Sequence, residues 1–323
     1  MRRRERQPEE EAKGTARFEF LRFLGKGTAG RVHLIQHKVS KVKSALKIID
    51  MEHLTEREKK LAMSEVEFLR VIHGPTIIKF HESFIEKKNI HIVMDFAEGG
   101  SLSQMIEKLR ISQRLLTTDQ ILMFTAQITL SLLVLHSKSI IHRDLKTQNI
   151  FLKEGVLKLG DFGISKSLED IDAFAMTQCG TLYYLAPEVC KGESYNNKAD
   201  IWALGVIIYE LITLRKPFDT REGVQSTDGA FQTLFDMITN KPLEQLPPGT
   251  DSDLQVLIRA VLNKDKDQRP NIFQLANLGF IKSKIHEFIE IHDCKDEVLP
   301  YLDMDQHMGR GRRNRASSAL NEA

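Results

Sequence analysis

Three short motifs in fixed order constrain this chain more than any other feature: Ile141-His142-Arg143-Asp144-Leu145-Lys146-Thr147-Gln148-Asn149, then Asp161-Phe162-Gly163, then Ala186-Pro187-Glu188. Phosphoryl transfer needs little covalent help from a protein. It does need a carboxylate near the attacking hydroxyl and oxygen ligands that hold magnesium on the phosphates. Asp144, Asn149 and Asp161 are residues of those types in the right order, with Asn149 and Asp161 as the metal ligands. Alone, His-Arg-Asp reads as a solvated turn and Asp-Phe-Gly as chance. Their joint occurrence predicts a catalytic, metal-binding set.

Upstream lies a glycine-rich stretch, Gly25-Lys26-Gly27-Thr28-Ala29-Gly30-Arg31-Val32. It sits between two apolar runs, Phe18 to Leu24 and Val32 to Ile35, that read as strands of a hairpin. Glycines there permit positive φ and close approach of backbone to phosphates. The same spacing also marks dinucleotide sites, but that reading needs a strand, a turn and then a helix. The residues after Gly30 are β-branched and alternating, which favours a strand-turn-strand lid. Ser44 to Ile49 follows as a third strand in which Lys47 is the one charge. By itself Lys47 reads as a surface lysine on an edge strand. From Thr55 to Ile72 the spacing turns helical, with Leu61, Val66, Leu69 and Ile72 on one apolar stripe and Glu65 next to it.

From about Phe18 to Phe280 the chain resembles the eukaryotic serine/threonine protein kinases, and within them it is similar to the NIMA-related kinases. The likeness is carried by Glu98-Gly99-Gly100-Ser101-Leu102, by His142 through Phe151, by Leu159-Gly160-Asp161-Phe162-Gly163-Ile164 and by Tyr195 through Gly205. It implies an α+β, bilobal protein-kinase fold with a small β-rich N-lobe, a larger α-helical C-lobe and an active site in the cleft between them. The chain departs from the family pattern at Leu182, where proline is usual, at Ala199, where serine is common, and in a polar insertion from Thr220 to Gly229. These departures bear on peptide preference and leave the phosphate machinery intact.

The resemblance also implies roles. Lys47 holds the α- and β-phosphates of ATP and is oriented by Glu65, with Glu67 as the alternative partner. Leu24, Gly25, Lys26, Gly27, Gly30, Val32 and Ala45 surround the nucleotide. Met94 is the gatekeeper behind the adenine, and Asp95, Phe96 and Ala97 form the hinge that receives it. Asp144 takes or orients the hydroxyl proton, while Lys146 offsets charge on the γ-phosphate and sets serine/threonine specificity. Asn149 and Asp161 hold Mg2+, for which Mn2+ can substitute. Thr181 resembles a threonine that bridges Asp144 and Lys146. Glu188 and Arg269 match a buried ion pair, and Asp200 and Trp202 match structural residues, Asp200 holding the catalytic-loop backbone. Arg143 is suited to pair with a phosphate on Thr177, which adds roughly −1.5 to −2 charges. The rival reading of Thr177 is an exposed loop hydroxyl.

Composition adds limits. The 323 residues, 41% hydrophobic and 28% charged, suffice to bury a large core. A net charge of +2 gives no global field that recruits nucleic acid. Cys179, Cys190 and Cys294 are too few for a disulfide framework and lack zinc spacing, which predicts a reducing setting. Met1-Arg2-Arg3-Arg4-Glu5-Arg6 leads into Pro8 and glutamates and not into an apolar leader. Ile201 to Leu214 is the most apolar run; it contains Glu210 and is shorter than the ~20 residues of a bilayer span, so it reads as a buried helix. The partners expected are ATP and proteins with Ser/Thr acceptors, without nucleic acid or membrane. The family adds microtubule or ciliary proteins, and a cytoplasmic location extending to cytoskeleton or nucleus.

Further strands are expected over Lys79 to Ile85 and Asn89 to Phe96, joined at Glu86-Lys87-Lys88. Helices are expected over Thr118 to Lys138, Asp200 to Thr213, Phe231 to Thr239, Asp253 to Leu262 and Ile272 to Leu278. The division is a disordered arm over 1–17 and a kinase domain over 18–280, with N-lobe 18–94, hinge 95–97 and C-lobe 98–280. A C-terminal helix and basic disordered tail follow over 281–323. Phe280 to Ile291 is that helix. Gly309 to Ser318 is the basic tail, a solvated end whose alternatives are nuclear targeting or phosphorylation at Ser317. Two other functions compete. A pseudokinase scaffold is expected to have lost Lys47, Asp144 or Asp161, and all three are present. An interaction protein working through its tail or insertion leaves the full catalytic set unexplained.

Overall fold

The computed structural model describes residues 13–27, 30–161, 182–218 and 227–302. Its contacts divide the chain into two units: residues up to Val71 with Ile78–Phe96, and Ile72–Ile77 with the residues from Ala97 onward.

The first unit is a five-stranded sheet in the order β1-β2-β3-β5-β4, antiparallel throughout. The strands are β1 (Phe18–Gly27), β2 (Gly30–His37), β3 (Lys43–Asp50), β4 (Phe80–Glu86) and β5 (Asn89–Asp95), and helix α1 (Glu56–Val71) follows β3. Alternating side chains give the sheet two apolar faces. One packs Ile49, Ile90 and Ile92 against Ala62 and Val66 of α1; the other gathers Phe18, Ile35, Leu46 and Val93. The buried residues of α1 are Ala62, Glu65 and Val66, with Leu61 and Leu69 half-buried. Glu65 thus lies within the covered face and not beside it. The run 62, 65, 66, 69 is an unbroken i, i+3, i+4, i+7 stripe once a charge with a buried partner is allowed into it. The β4–β5 turn puts both Lys87 and Lys88 in the left-handed region, at φ 49° and 61°, which matches the twist of a two-residue hairpin.

The expectation of disorder over 1–17 is corrected for its last residues. Gly14–Arg17 forms a 3-10 turn against β4. The Thr15 hydroxyl donates to Glu86, and Arg17 Nη2 meets Glu82 Oε2 at 2.9 Å. Polar residues read as solvated because their carboxylate partners lie more than sixty residues away.

The second unit is helical: α2 (Leu102–Ile111), α3 (Thr118–Ser137), α4 (Pro187–Cys190), α5 (Asn197–Thr213), α6 (Thr227–Thr239), α7 (Ser252–Val261), α8 (Ile272–Ala276), α9 (Gly279–His292) and α10 (Lys295–Leu302). A hairpin of β6 (Ile150–Lys153) and β7 (Val156–Leu159) lies between α3 and α4 in the chain. Helix α3 opens on a capping box in which Gln120 N–H donates to Thr117 Oγ1 at 3.2 Å and Thr117 N–H to Gln120 Oε1 at 3.0 Å. It packs against α5, α8, α9, α10 and β7. Among the described residues α3 is the one helix long and apolar enough to cross a membrane by length and composition, and 78% of that window is buried within the protein. That is the pattern of a core helix.

Three helices were not expected, the short α4 among them. Helix α2 is announced by its own capping box, Ser101 with Gln104, at 3.3 and 3.0 Å. Helix α10 carries Pro300 inside it, which reads as a breaker, yet Val298 is buried and the helix packs on α3. The helix expected over Phe280 to Ile291 is α9, the ordered chain runs on through α10 to Leu302, and the basic tail lies outside the described residues. The insertion read over Thr220 to Gly229 ends as the first turn of α6.

Candidate active site

In the sheet unit, Lys47 sits on β3 opposite Val32 of β2 and Ile92 of β5. It is on an inner strand, and the edge-strand reading fails. Its Nζ donates to Glu65 Oε1 at 2.9 Å, with side-chain exposures of 6% and 3%. Both charges are out of bulk water, where a close pair gains more and an unpaired ion would be costly. Glu67 is exposed and meets Arg70 at 3.4 Å on its own helix, so it is not the partner of Lys47.

The residues assigned to the nucleotide follow the same sheet. Leu24 and Gly25 are half-buried, Lys26 is exposed, and Gly27 pairs in register with Gly30. Neither Gly25 nor Gly30 has positive φ, contrary to the expectation for this turn. Gly30 is required for a different reason: a Cβ there would stand 2.2 Å from the Ile48 carbonyl oxygen. Val32 is half-buried, and Ala45 is buried opposite Met94, which packs on the cluster of Ile49, Val66 and Ile92. Asp95 ends β5, its N–H donating to the Lys79 carbonyl at 2.9 Å and its carboxylate lying 2.8 Å from His81 Nε2. In the second unit the Ala97 carbonyl accepts from Gly100 N–H at 3.3 Å.

The helical unit assembles the catalytic loop. Asp144 is 5% exposed and its carboxylate is held from two sides. Lys146 Nζ approaches within 3.0 Å, and Asn149 Nδ2 donates to Oδ2 at 3.0 Å and to the Asp144 carbonyl at 2.9 Å. With its amide nitrogen committed to Asp144, Asn149 has Oδ1 as the atom to offer a cation. The neighbouring strand is tied in through Gly160, whose N–H donates to the Asn149 carbonyl at 3.0 Å and whose carbonyl lies 3.4 Å from His142 Nε2. Asp161 comes next, at φ 48°. His142 is fully buried, and its Nδ1 accepts the Asp144 N–H at 3.2 Å, so Nε2 carries the proton toward Gly160. Burial pushes the His142 pKa below its ordinary value, against the pull of Asp200, Asp144 and Asp161. The ring is a neutral spacer.

Asp200, read as the support of this loop, accepts His142 N–H at 2.9 Å and Arg143 N–H at 3.2 Å. His136 Nε2 at 2.8 Å and the Tyr195 hydroxyl at 3.0 Å complete the hub, and neither was foreseen. Burial raises the Asp200 pKa, but the hydrogen bond and charge of His136 with the contacts of His142 outweigh it, and the carboxyl ends below its usual range. The support holds Arg143 at φ 64°, in the left-handed region. Farther on, Arg269 Nη1 meets Glu188 Oε1 at 2.8 Å while Nη2 meets Oε2, giving the expected buried pair in bidentate form. Arg269 also donates to the carbonyls of Asn263 and Lys198 at 2.7 and 2.9 Å and lies 5.3 Å over the Trp202 ring. Phe162, Gly163, Thr177, Cys179 and Thr181 lie outside the described residues.

A five-stranded antiparallel sheet with a buried lysine–glutamate pair, and a helical unit that encloses an aspartate between lysine and asparagine, define a protein kinase. The protein kinase domain family matches residues 18–281, and the chain belongs to it. Serine/threonine-protein kinase Nek5 of Mus musculus is 34% identical over 290 residues, covering 89% of this chain and 44% of that protein. Nek8 of Danio rerio is 37% identical over 286 residues, covering 86% and 39%. The nekl-2 kinase of Caenorhabditis elegans is 35% identical over 269 residues, covering 80% and 73%. The chain is a member of the NIMA-related serine/threonine kinases. It spans less than half the length of the first curated relatives it matches.

Proposed function

We propose that this chain transfers the γ-phosphate of ATP to serine and threonine hydroxyls of proteins, with Mg2+ as the working cation and Mn2+ as a substitute. The observation that carries the reading is the Asp144 carboxylate, buried and gripped by Lys146 and Asn149. So held, it is aimed to take or orient the proton of an incoming hydroxyl, while Lys146 offsets charge building on the γ-phosphate. Lys47, aligned by Glu65, holds the α- and β-phosphates. The main-chain groups of Asp95 and Ala97 receive the adenine under this reading.

The donor set fits a hard divalent cation: the amide oxygen of Asn149 and the carboxylate of Asp161. Such a cation neutralises the phosphate charge during transfer. The pseudokinase alternative has no missing residue in its favour. Microtubule or ciliary acceptors, a cytoplasmic location and Thr177 as a phosphate partner of Arg143 rest on the family resemblance.

The test is Asp144→Asn, nearly isosteric but unable to accept the proton. Transfer from labelled ATP to a degenerate Ser/Thr peptide library should fall by ~10²–10⁴-fold with Mg-ATP binding retained. Near wild-type transfer by this variant would refute the assignment.

A further inference from the structure

Four side chains outside the set above form one connected group beside the catalytic loop. Thr147 Oγ1 lies 2.9 Å from the Tyr184 hydroxyl, which donates to Glu210 Oε2 at 2.8 Å. Lys216 Nζ donates to the Tyr184 oxygen at 2.6 Å and to Glu210 Oε2 at 2.9 Å. The same ammonium stands 4.2 Å from the centre of the Tyr184 ring. Valence fixes the directions. The phenol has one proton, given to Glu210, and lysine can only donate, so Thr147 is the donor to the phenol oxygen.

Thr147 is fully buried and Tyr184 is 4% exposed. The side chains of Lys216 and Glu210 keep 15% and 10%. Burial first, and then the Glu210 charge, hold the phenol protonated far above its ordinary pKa, so the donor pattern persists at any working pH. Thr147 opens the 3-10 turn Thr147–Asn149, closed by Asn149 N–H on the Lys146 carbonyl at 3.0 Å. That short turn sets how far Lys146 and Asn149 stand apart around Asp144. It has few bonds of its own, and the Thr147 hydroxyl pins it to the body of the unit.

We infer that Thr147, Tyr184 and Lys216 are positioning residues for phosphoryl transfer: Lys216 and Glu210 fix the phenol, the phenol fixes Thr147, and Thr147 fixes the Lys146–Asn149 grip on Asp144. The inference rests on the phosphotransfer reading above. It also ties the chain just before Ala186-Pro187-Glu188 to the catalytic loop, because Tyr184 belongs to the turn Leu182–Tyr184.

The experiment measures kcat, KM for ATP and thermal unfolding of the full chain for wild type, Thr147→Val, Tyr184→Phe, their double variant, Lys216→Met and Lys216→Arg. Each single removal should lower kcat by about tenfold while KM for ATP moves less than about twofold. The double variant should be no slower than the worse single, because both changes break one bond. Lys216→Arg should restore most of the rate lost in Lys216→Met. If Lys216→Met fails to fold, Lys216→Met with Glu210→Gln, which removes both charges together, should show the same loss of kcat. Variants that stay folded with wild-type kcat, or losses that multiply in the double variant, overturn this inference alone. No transfer by the wild-type chain overturns the phosphotransfer reading and this inference with it.

Discussion

Each unit carries a buried carboxylate facing a buried cation, and the two pairs are built differently. Lys47 meets Glu65 through an ammonium, a point charge that can turn toward new acceptors. Arg269 meets Glu188 through a planar fork, both oxygens engaged, with two further donors on two backbone carbonyls. The fork suits one geometry and locks it. The ammonium suits a group that must also hold phosphate. Burial alone does not distinguish a fastening from a working pair; the number and rigidity of the bonds does.

The largest effect should come from the fork. Arg269→Met strands the Glu188 carboxylate and removes a donor from the Asn263 and Lys198 carbonyls, and should cost about 3–5 kcal/mol of stability in urea unfolding. Converting Glu188 to leucine in the same chain should recover much of it, because no charge is then left buried. Should Arg269→Met prove no less stable than Lys47→Met, the contrast between the pairs fails.

Next in size is the effect on catalysis at the other pair. Lys47→Met should lower kcat/KM by ~10²-fold or more, as expected when a charge placed on phosphate is lost. Its loss of stability should be smaller than that of Arg269→Met, because Arg269 also holds the Asn263 and Lys198 carbonyls in addition to its carboxylate. Unchanged transfer would make Lys47 a fastening like Arg269.

The smallest effect adds a neutral, buried group to the comparison. The folded His142 pKa lies below the ordinary 6.5, so on acidification the unfolded chain takes the proton first. Its contribution is therefore intact above about pH 6.5 and declines as pH falls toward the folded value, by at most about 1.4 kcal/mol per unit. His142→Phe should show a shallower loss of stability than wild type between about pH 6.5 and 5. Parallel slopes would mean that His142 charges within the fold.

The residues proposed for catalysis stand out because phosphoryl transfer restricts residue type: few side chains suit the roles read for Asp144, Asn149 and Asp161, and the helical spacing after Lys47 pointed to Glu65, which the structure pairs with it. The strands and long helices showed through their periods of two and 3.6. What stayed hidden was pairing across distance. Tyr195 and His136 on Asp200, or Lys216 on Tyr184, leave no periodic trace, since a tyrosine or lysine near an apolar run is common. The box at Ser101 and Gln104 was readable and overlooked. Pro300 within α10 and the docking of Thr15 and Arg17 on β4 reflect tertiary contacts that outweigh local preference.

The carboxylate that holds the backbone of the Asp144 loop comes later in the chain, Asp200 lying 58 residues beyond His142. At about 5–20 residues per second of synthesis, the loop emerges on the order of seconds before the carboxylate that will aim it. A nascent chain stopped ahead of α5 would display the whole catalytic motif without the carboxylate that holds the His142 and Arg143 amides. The loop is thus made early and receives its Asp200 support late, when α5 has been made.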